Sequence, residues 1–434
     1  MLLLYLRFNL SSAYYAKKTV SDILLLLEEE IHSVTICNEY KMSSRDFTRK
    51  RKLSFSKTLL FMLNFITKSL SCEIVNFIHY IRSLGQAQNT FTKSAYVQNR
   101  KKIKPEVFIH LNQRLVEEFY TDNSAVQTKY NGLRLLAIDG SRINLPQTRE
   151  LEEIYGVSKN QTSHTCVQAK ACVLYDTINK ICLKGVLSSI DTDERLQALE
   201  LLDHCCHNDL LLYDRGFASF DFFHQHHKRN LNYLMRVRIG LNQTIKDFVK
   251  SGKSCIITDL KPSPTVDLSG KDYSKDYTLK VRLLRVVLDN GTIEVLATSL
   301  LDETCYPSEI FKALYFERWG VETYFDEIKN KLHLEEFSGY SNNSILQDFY
   351  STLLVSNIQT LIVRELEQEL TEADTKKKYR YKVNTSLSYS LMKNRILNLL
   401  FSNVKKEDMV AELKVLFASH MIPSGPKDPL KEIF

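Results

Sequence analysis

Between residues 133 and 237 short apolar runs alternate with amphipathic segments, and this alternation restricts the possible fold more than any other feature of the chain. "LRLLAIDGS" (133–141) reads as a buried strand that closes on Asp-Gly. "CVQAKACVLYDT" (166–177) and "ICLKGVLSSI" (181–190) read as two more strands, near enough to form a hairpin. "DERLQALELLDHC" (193–205) has helix-period apolar residues, and "DLLLYDRGF" (209–217) is again a buried strand ending in aspartate. A helix, "SFDFFHQHHKRN", and a strand, "NYLMRVRI", follow. Three strands, then helix, strand, helix and strand, predict a mixed α/β sheet.

The flanking regions have a different texture. Residues 1–125 read as helical: 54–81 carries apolar residues at helix period behind a capping Ser54, and two further helices separate near Pro105. The stretch 240–305 is β-rich ("SCIITDL", "YTLKVRLLRVVLD", "TIEVLATSLL") and reads as an insertion within a domain spanning 130–340. The region 341–434 reads as a helical tail, opened by one long helix and carrying a basic cluster, "KKKYRYK", at 376–382.

Charge is distributed unevenly. Between Lys41 and Lys104 there are 14 Lys/Arg against Asp46 and Glu73 alone, an excess of 12, whereas the whole chain carries only +7. A basic helical module on a slightly acidic body points to nucleic acid as partner, although a merely solvated surface has the same composition. Arg49, Lys50, Arg51 and Lys52, set between Phe47 and Phe55, form its densest part. Short helices with basic turns are the pattern of helix-turn-helix modules.

Other function classes recede. No apolar run approaches the length of about 20 residues that spans a bilayer, so no membrane segment is expected. The opening "MLLLYLRFNL" lacks the basic start and small-residue cleavage site of a signal peptide. Nine cysteines, odd in number and without a CxxC pair, read as reduced thiols of a cytoplasmic protein. "DHCCH" (203–207) has soft ligands but no second pair at zinc spacing, and reads as a helix end.

Three carboxylates stand out. Asp139 and Asp214 each close an apolar strand before a small or flexible turn, where α/β folds place their ligands. Glu322 lies within "YFERWGVETYFDEIKNKL" (315–332), which reads as one helix. At about 100° per residue, Tyr315, Arg318, Glu322 and Lys329 fall within an arc of about 60°. Leu314, Val321, Phe325, Ile328 and Leu332 form the adjoining stripe, so the polar line borders the buried face instead of opposing it. Carboxylates converging from two strands and a helix make an all-oxygen site suited to Mg²⁺ or Mn²⁺, and a pair of such ions supports phosphoryl transfer. Arg318 and Lys329 then suit phosphate binding. Spacing alone leaves a purely structural role for these carboxylates open.

The pattern Y-x2-R-x3-E-x6-K (Tyr315, Arg318, Glu322, Lys329) resembles the signature of the insertion-sequence-4 family of bacterial DDE transposases. "AIDGSRINLP" around Asp139, "YDRGF" around Asp214 and "LEEFSGYSNNSILQDFY" after the signature extend the likeness over roughly residues 45–400. The resemblance implies an RNase H-like catalytic domain interrupted by a β insertion. It also implies that Asp139, Asp214 and Glu322 hold two Mg²⁺ ions (Mn²⁺ as a substitute), and that Tyr315, Arg318 and Lys329 contact phosphates near the scissile bond. Water would nick the end of the element and the freed 3′-hydroxyl would attack DNA. The partners implied are double-stranded DNA, as terminal inverted repeats and target, and a second copy of the chain, with the tail contributing to the dimer. Hairpin-forming relatives can stack a flipped base on a tryptophan in the insertion. Here the insertion has none, Tyr273 or Tyr277 being the substitutes, and the lone Trp319 reads as a packing residue. A nuclease on the same fold and an inactive DNA-binding derivative are the rival functions.

Overall fold

A computed structural model describes residues 18–49, 51–65, 68–83, 90–121, 129–159, 165–288, 290–373, 379–401 and 404–426. Its N-terminal part is helical as the sequence predicts: α1 (Val20–His32), α2 (Val34–Tyr40), α3 (Phe55–Leu63), α4 (Leu70–Ser83), α5 (Lys93–Arg100) and α6 (Glu106–Thr121). The helix starts are encoded locally. Thr19 and Asp22 form a capping box on α1, and the Ser54 and Thr92 side chains accept from backbone amides at the starts of α3 and α5. The apolar stretch 54–81 is two helices, because Asn64 ends the first at a turn.

A nine-stranded sheet forms the centre among the described residues. β1 (Arg134–Asn144) precedes α7 (Arg149–Tyr155), the short β2 (Val157–Lys159), β3 (Thr165–Asp176) and β4 (Ile181–Ser189). β3 pairs antiparallel with β1 on one side and with β2 and β4 on the other. After α8 (Glu194–Leu202), β5 (Asp209–Tyr213) pairs parallel with β1; after α9 (Phe220–Lys228), β6 (Asn232–Val237) pairs parallel with β5. β5 is buried at all five positions, as a central parallel strand covered on both faces should be.

The β-rich stretch does not stand apart. α10 (Gln243–Ser251) leads into β7 (Cys255–Leu260), β8 (Leu279–Val287) and β9 (Ile293–Thr298); β9 pairs antiparallel with β6, so these strands continue the same sheet in the order β6-β9-β8-β7. The exposed edge of β6 supplies the hydrogen-bond template, a pairing that texture along the chain does not record.

Strand periodicity sorts the core into two layers. Leu135 and Ala137 of β1, with Leu210 and Leu212 of β5, join a large cluster with the N- and C-terminal helices. Leu136, Ile138, Leu211 and Tyr213 point the other way, into a cluster with α8, α9 and α10. The chain then runs through a 3₁₀ turn (Ser308–Ile310) into α11 (Phe311–Phe316), α12 (Trp319–Asn330) and the 32-residue α13 (Asn342–Ala373). The predicted single helix at 315–332 is therefore two segments, broken at Glu317–Arg318.

The tail is not purely helical. β10 (Tyr379–Lys382) pairs with β11 (Ile422–Pro426) around α14 (Thr385–Met392), α15 (Arg395–Phe401) and α16 (Lys406–Ala418). Of the basic cluster at 376–382, residues 376–378 lie outside the described residues. The tail packs against the N-terminal helices, α1 meeting both α15 and α16. Buried ion pairs lock the two: Lys406 with Glu28 at 2.8 Å and Lys393 with Glu73 at 2.7 Å. α5 is tied to α13 in the same way through Arg100 and Asp348 at 2.8 Å.

Candidate active site

Asp139 and Asp214 are neighbours across a parallel pair. Ala137 and Leu212 are the last residues matched in register between β1 and β5, and each aspartate lies two positions further on. Two positions restore the side-chain direction, so both carboxylates project toward the face that carries α12. Asp214 follows the end of its strand as predicted. Asp139 does not: β1 runs on to Asn144, paired with β3, and Asp139 sits where β5 stops beside it. The carboxylate gains an open flank from the end of the neighbouring strand.

Of Tyr315, Arg318, Glu322 and Lys329, it is Arg318 that reaches one of these aspartates directly. Arg318, whose side chain is 5% exposed, places Nη1 2.7 Å from Glu322 Oε1 and 3.4 Å from Asp139 Oδ2. Lys329 Nζ donates to Ser141 Oγ at 2.8 Å and to the Arg142 carbonyl at 2.6 Å, which pins the far end of α12 to β1. Tyr315 is buried with an unpartnered hydroxyl, and its ring lies 5.7 Å from the Arg318 guanidinium. Tyr315, Arg318 and Glu322 thus remain neighbours across the break between α11 and α12.

The electrostatics of the two aspartates diverge. Burial pushes the Asp139 carboxyl up to about 6; the Gly140 amide and Arg318 oppose the rise, and the charges of Glu322 and Asp214 add to it. Burial also works against Asp214, yet the Arg215 amide at 2.5 Å and Arg236 hold it below the usual carboxylate range. Arg236 Nη2 lies 2.7 Å from Asp214, and its Nη1 reaches Glu294 of β9 at 2.5 Å. Burial raises the Tyr315 phenol to about 12 and keeps it neutral. Burial lowers Lys329, which Glu335 partly offsets.

Arg236 and Glu294 adjoin Asp214 and are neighbours of the candidate site that sequence reading missed. The only local signal is a cation inside the apolar strand "NYLMRVRI", and its partner lies 58 residues further along the chain. The packing reading of Trp319 and one of the two stacking substitutes are also corrected. Trp319 is 51% exposed beside Arg318, because the break between α11 and α12 turns it outward. Tyr273 is buried against Phe220, His224 and Tyr277 and offers no free face, while Tyr277 remains partly exposed. Arg49, Arg51 and Lys52 are exposed ahead of α3, with no bond to the acidic cluster among the described residues; Lys50 lies outside the described residues.

The donor set fits a hard cation in chemistry: three carboxylates, of which Asp139 is raised chiefly by burial and further by the charges of Glu322 and Asp214. As they stand, no three His, Cys, Asp or Glu among the described residues are grouped to hold a metal ion. The Arg318 guanidinium lies between Asp139 and Glu322.

A family model described as "Transposase DDE domain" matches residues 130–358, more than half of the chain. The chain belongs to the DDE transposase family. The transposase for insertion sequence element IS4 of Escherichia coli K12 is 23% identical to this family member over 273 residues, 60% of this chain and 61% of the relative, in keeping with the insertion-sequence-4 resemblance. The DDE chain thus spans less than two thirds of that curated relative. The piggyBac transposase, solved by cryo-EM as a synaptic complex with hairpin DNA, aligns over 98% of this chain and 81% of its own at 12% identity. Its TM-score of 0.37 is too low to define the fold. Among the described residues of this DDE family member, no helix is long and apolar enough to cross a membrane.

Proposed function

We propose that this transposase family member binds the terminal inverted repeats of an insertion sequence, cleaves its ends and transfers the 3′-hydroxyl strand to target DNA. The observation that carries this reading is the convergence of Asp139, Asp214 and Glu322 on one face, with Arg318 between two of them. An RNase H-like domain is supported by the strand order β4-β3-β1-β5-β6, antiparallel for the first three and parallel for the last two.

Asp139, Asp214 and Glu322 are the residues that would hold two Mg²⁺ ions. When bound, such ions would supply acidification of an attacking hydroxyl and charge balance at the leaving oxygen. Arg318 exchanges its carboxylate partners for a phosphate, for which its planar fork is well shaped. Tyr315 stays neutral and offers its free hydroxyl as a donor to a phosphate oxygen. Lys329 supplies a second cation further along α12. Arg236, braced by Glu294, keeps Asp214 ionised and fixed in direction. Duplex DNA and a second copy of the chain are the proposed partners, in the cytoplasm.

The test is incubation with Mg²⁺ and a duplex carrying the repeats that flank the gene. Nicked ends and joined product are expected; cutting without joining assigns a nuclease instead, and neither product overturns the reading. Neutralising Arg49, Lys50, Arg51 and Lys52 to Gln is expected to reduce the slope of log K against log salt by about 1 for each phosphate no longer neutralised. Binding titrations with an unchanged slope move the N-terminal DNA-binding surface elsewhere.

A further inference from the structure

Beyond the Lys329 end of the candidate site lies a groove of about 720 Å³ that the catalytic reading does not use. Lys68, Lys93 and Lys101 line it together with Tyr340 and Glu336. The three lysines are exposed, and none pairs with a carboxylate among the described residues. Glu336 is the groove's one exposed acid, and it is engaged by His333 at 3.2 Å. Tyr340 is 72% exposed, a large aromatic face turned to solvent.

The walls are fixed to each other from below. Arg100, at the end of α5, is buried and donates to Gln347 at 2.9 Å, to the Ser344 carbonyl at 3.1 Å and to Asp348 at 2.8 Å. Its charge is thereby spent on joining α5 to α13, while the lysines above it remain free for an outside anion. A rigid groove with three unspent cations has little ordering cost on binding.

We infer that this groove holds the sugar-phosphate backbone of the duplex whose scissile bond lies at Glu322. The inference rests on the transposase reading for the identity of the occupant. Continuity places the groove on the same track: Glu335, one residue before Glu336, lies 4.0 Å from Lys329 and accepts from the Asn144 amide at 3.0 Å. Seven helical residues carry Glu322 to Lys329 over about 10 Å, or about three phosphates of one strand at 3.4 Å each. The lysines of the groove therefore meet phosphates further along than that, and the Tyr340 ring covers a deoxyribose. Interactions of this kind fix position and carry no sequence information.

The test is fluorescence anisotropy with a short labelled duplex in metal-free buffer, repeated across about 50–200 mM salt. K68Q/K93Q/K101Q is expected to flatten the slope of log K against log salt by about 3, one unit per lysine, and K68R/K93R/K101R to restore it. A charge-matched control on the opposite layer, K246Q/K250Q/K253Q, keeps the wild-type slope. Equal slopes for wild type and the groove variant, or an equal loss in the control, overturn the groove assignment while the transposase reading stands. Wild type that binds no duplex overturns both.

Discussion

Glu322→Gln, Asp139→Asn and Asp214→Asn are each expected to reduce strand cleavage to background while binding of the DNA ends persists. Each change keeps the shape of its side chain and removes one negative oxygen donor. In Glu322→Gln the amide oxygen still faces Arg318, now 2.7 Å from Glu322, so the fold of α12 has no reason to change. On the proposed function, what would be lost is the ability of three carboxylates to balance divalent cations, and with it the charge stabilisation those cations would supply. A single arginine finger contributes on the order of 10³–10⁵ in rate to phosphoryl transfer, and divalent charge at the reacting phosphate is asked for at least as much, so a loss of at least 10³-fold is expected. Two measurements separate the site from a folding defect: a gel assay of nicked product, and the Mg²⁺-induced rise in melting temperature. Wild type is expected to show both and each variant neither, with gel-shift affinity for the ends retained. A variant that still nicks at the wild-type rate would falsify the assignment of that carboxylate.

The two aspartates were legible because each ends or interrupts an apolar run, and because period-two geometry turns matched positions on parallel strands the same way. Glu322 was legible from the wheel, since Val321, Phe325 and Ile328 are buried and fix which side of α12 faces the sheet. The break at Glu317–Arg318 was not, because both residues keep right-handed helical angles and the nearest glycine, Gly320, lies beyond it inside α12. That break is why Trp319 emerges exposed where a lone tryptophan is expected inside. Arg236 and Glu294 escaped for a different reason: they meet only because β9 pairs with β6, a long-range choice made by strand edges. The same pairing joins the β-rich stretch to the main sheet. The joining of N- and C-terminal helices is likewise invisible locally, as Glu28 and Lys406 lie at opposite ends of the chain.

Asp139→Asn is expected to stabilise the metal-free protein even as it abolishes cleavage. The Asp139 carboxyl is raised from 3.8 to about 6, chiefly by burial and further by the charges of Glu322 and Asp214. A raised acid holds its proton more tightly in the folded state than in the unfolded one. Folding is then favoured most below pH 3.8, loses stability as pH rises from there, and bears the full cost above about pH 6. At 1.36 kcal/mol per unit, the cost at neutral pH is up to about 3 kcal/mol. Asparagine removes it, less whatever Arg318 loses when its Asp139 neighbour at 3.4 Å is no longer charged. In chelated buffer, urea unfolding is expected to show the variant more stable than wild type at pH 7, with the gain shrinking toward pH 4. Mg²⁺ is expected to close the gap by stabilising wild type alone, because binding to the folded state adds stability only where the site is complete. Equal or lower stability of the variant at pH 7 would show that Arg318 already neutralises Asp139. In that event the exchange of Arg318 from carboxylate to phosphate has a high energetic cost.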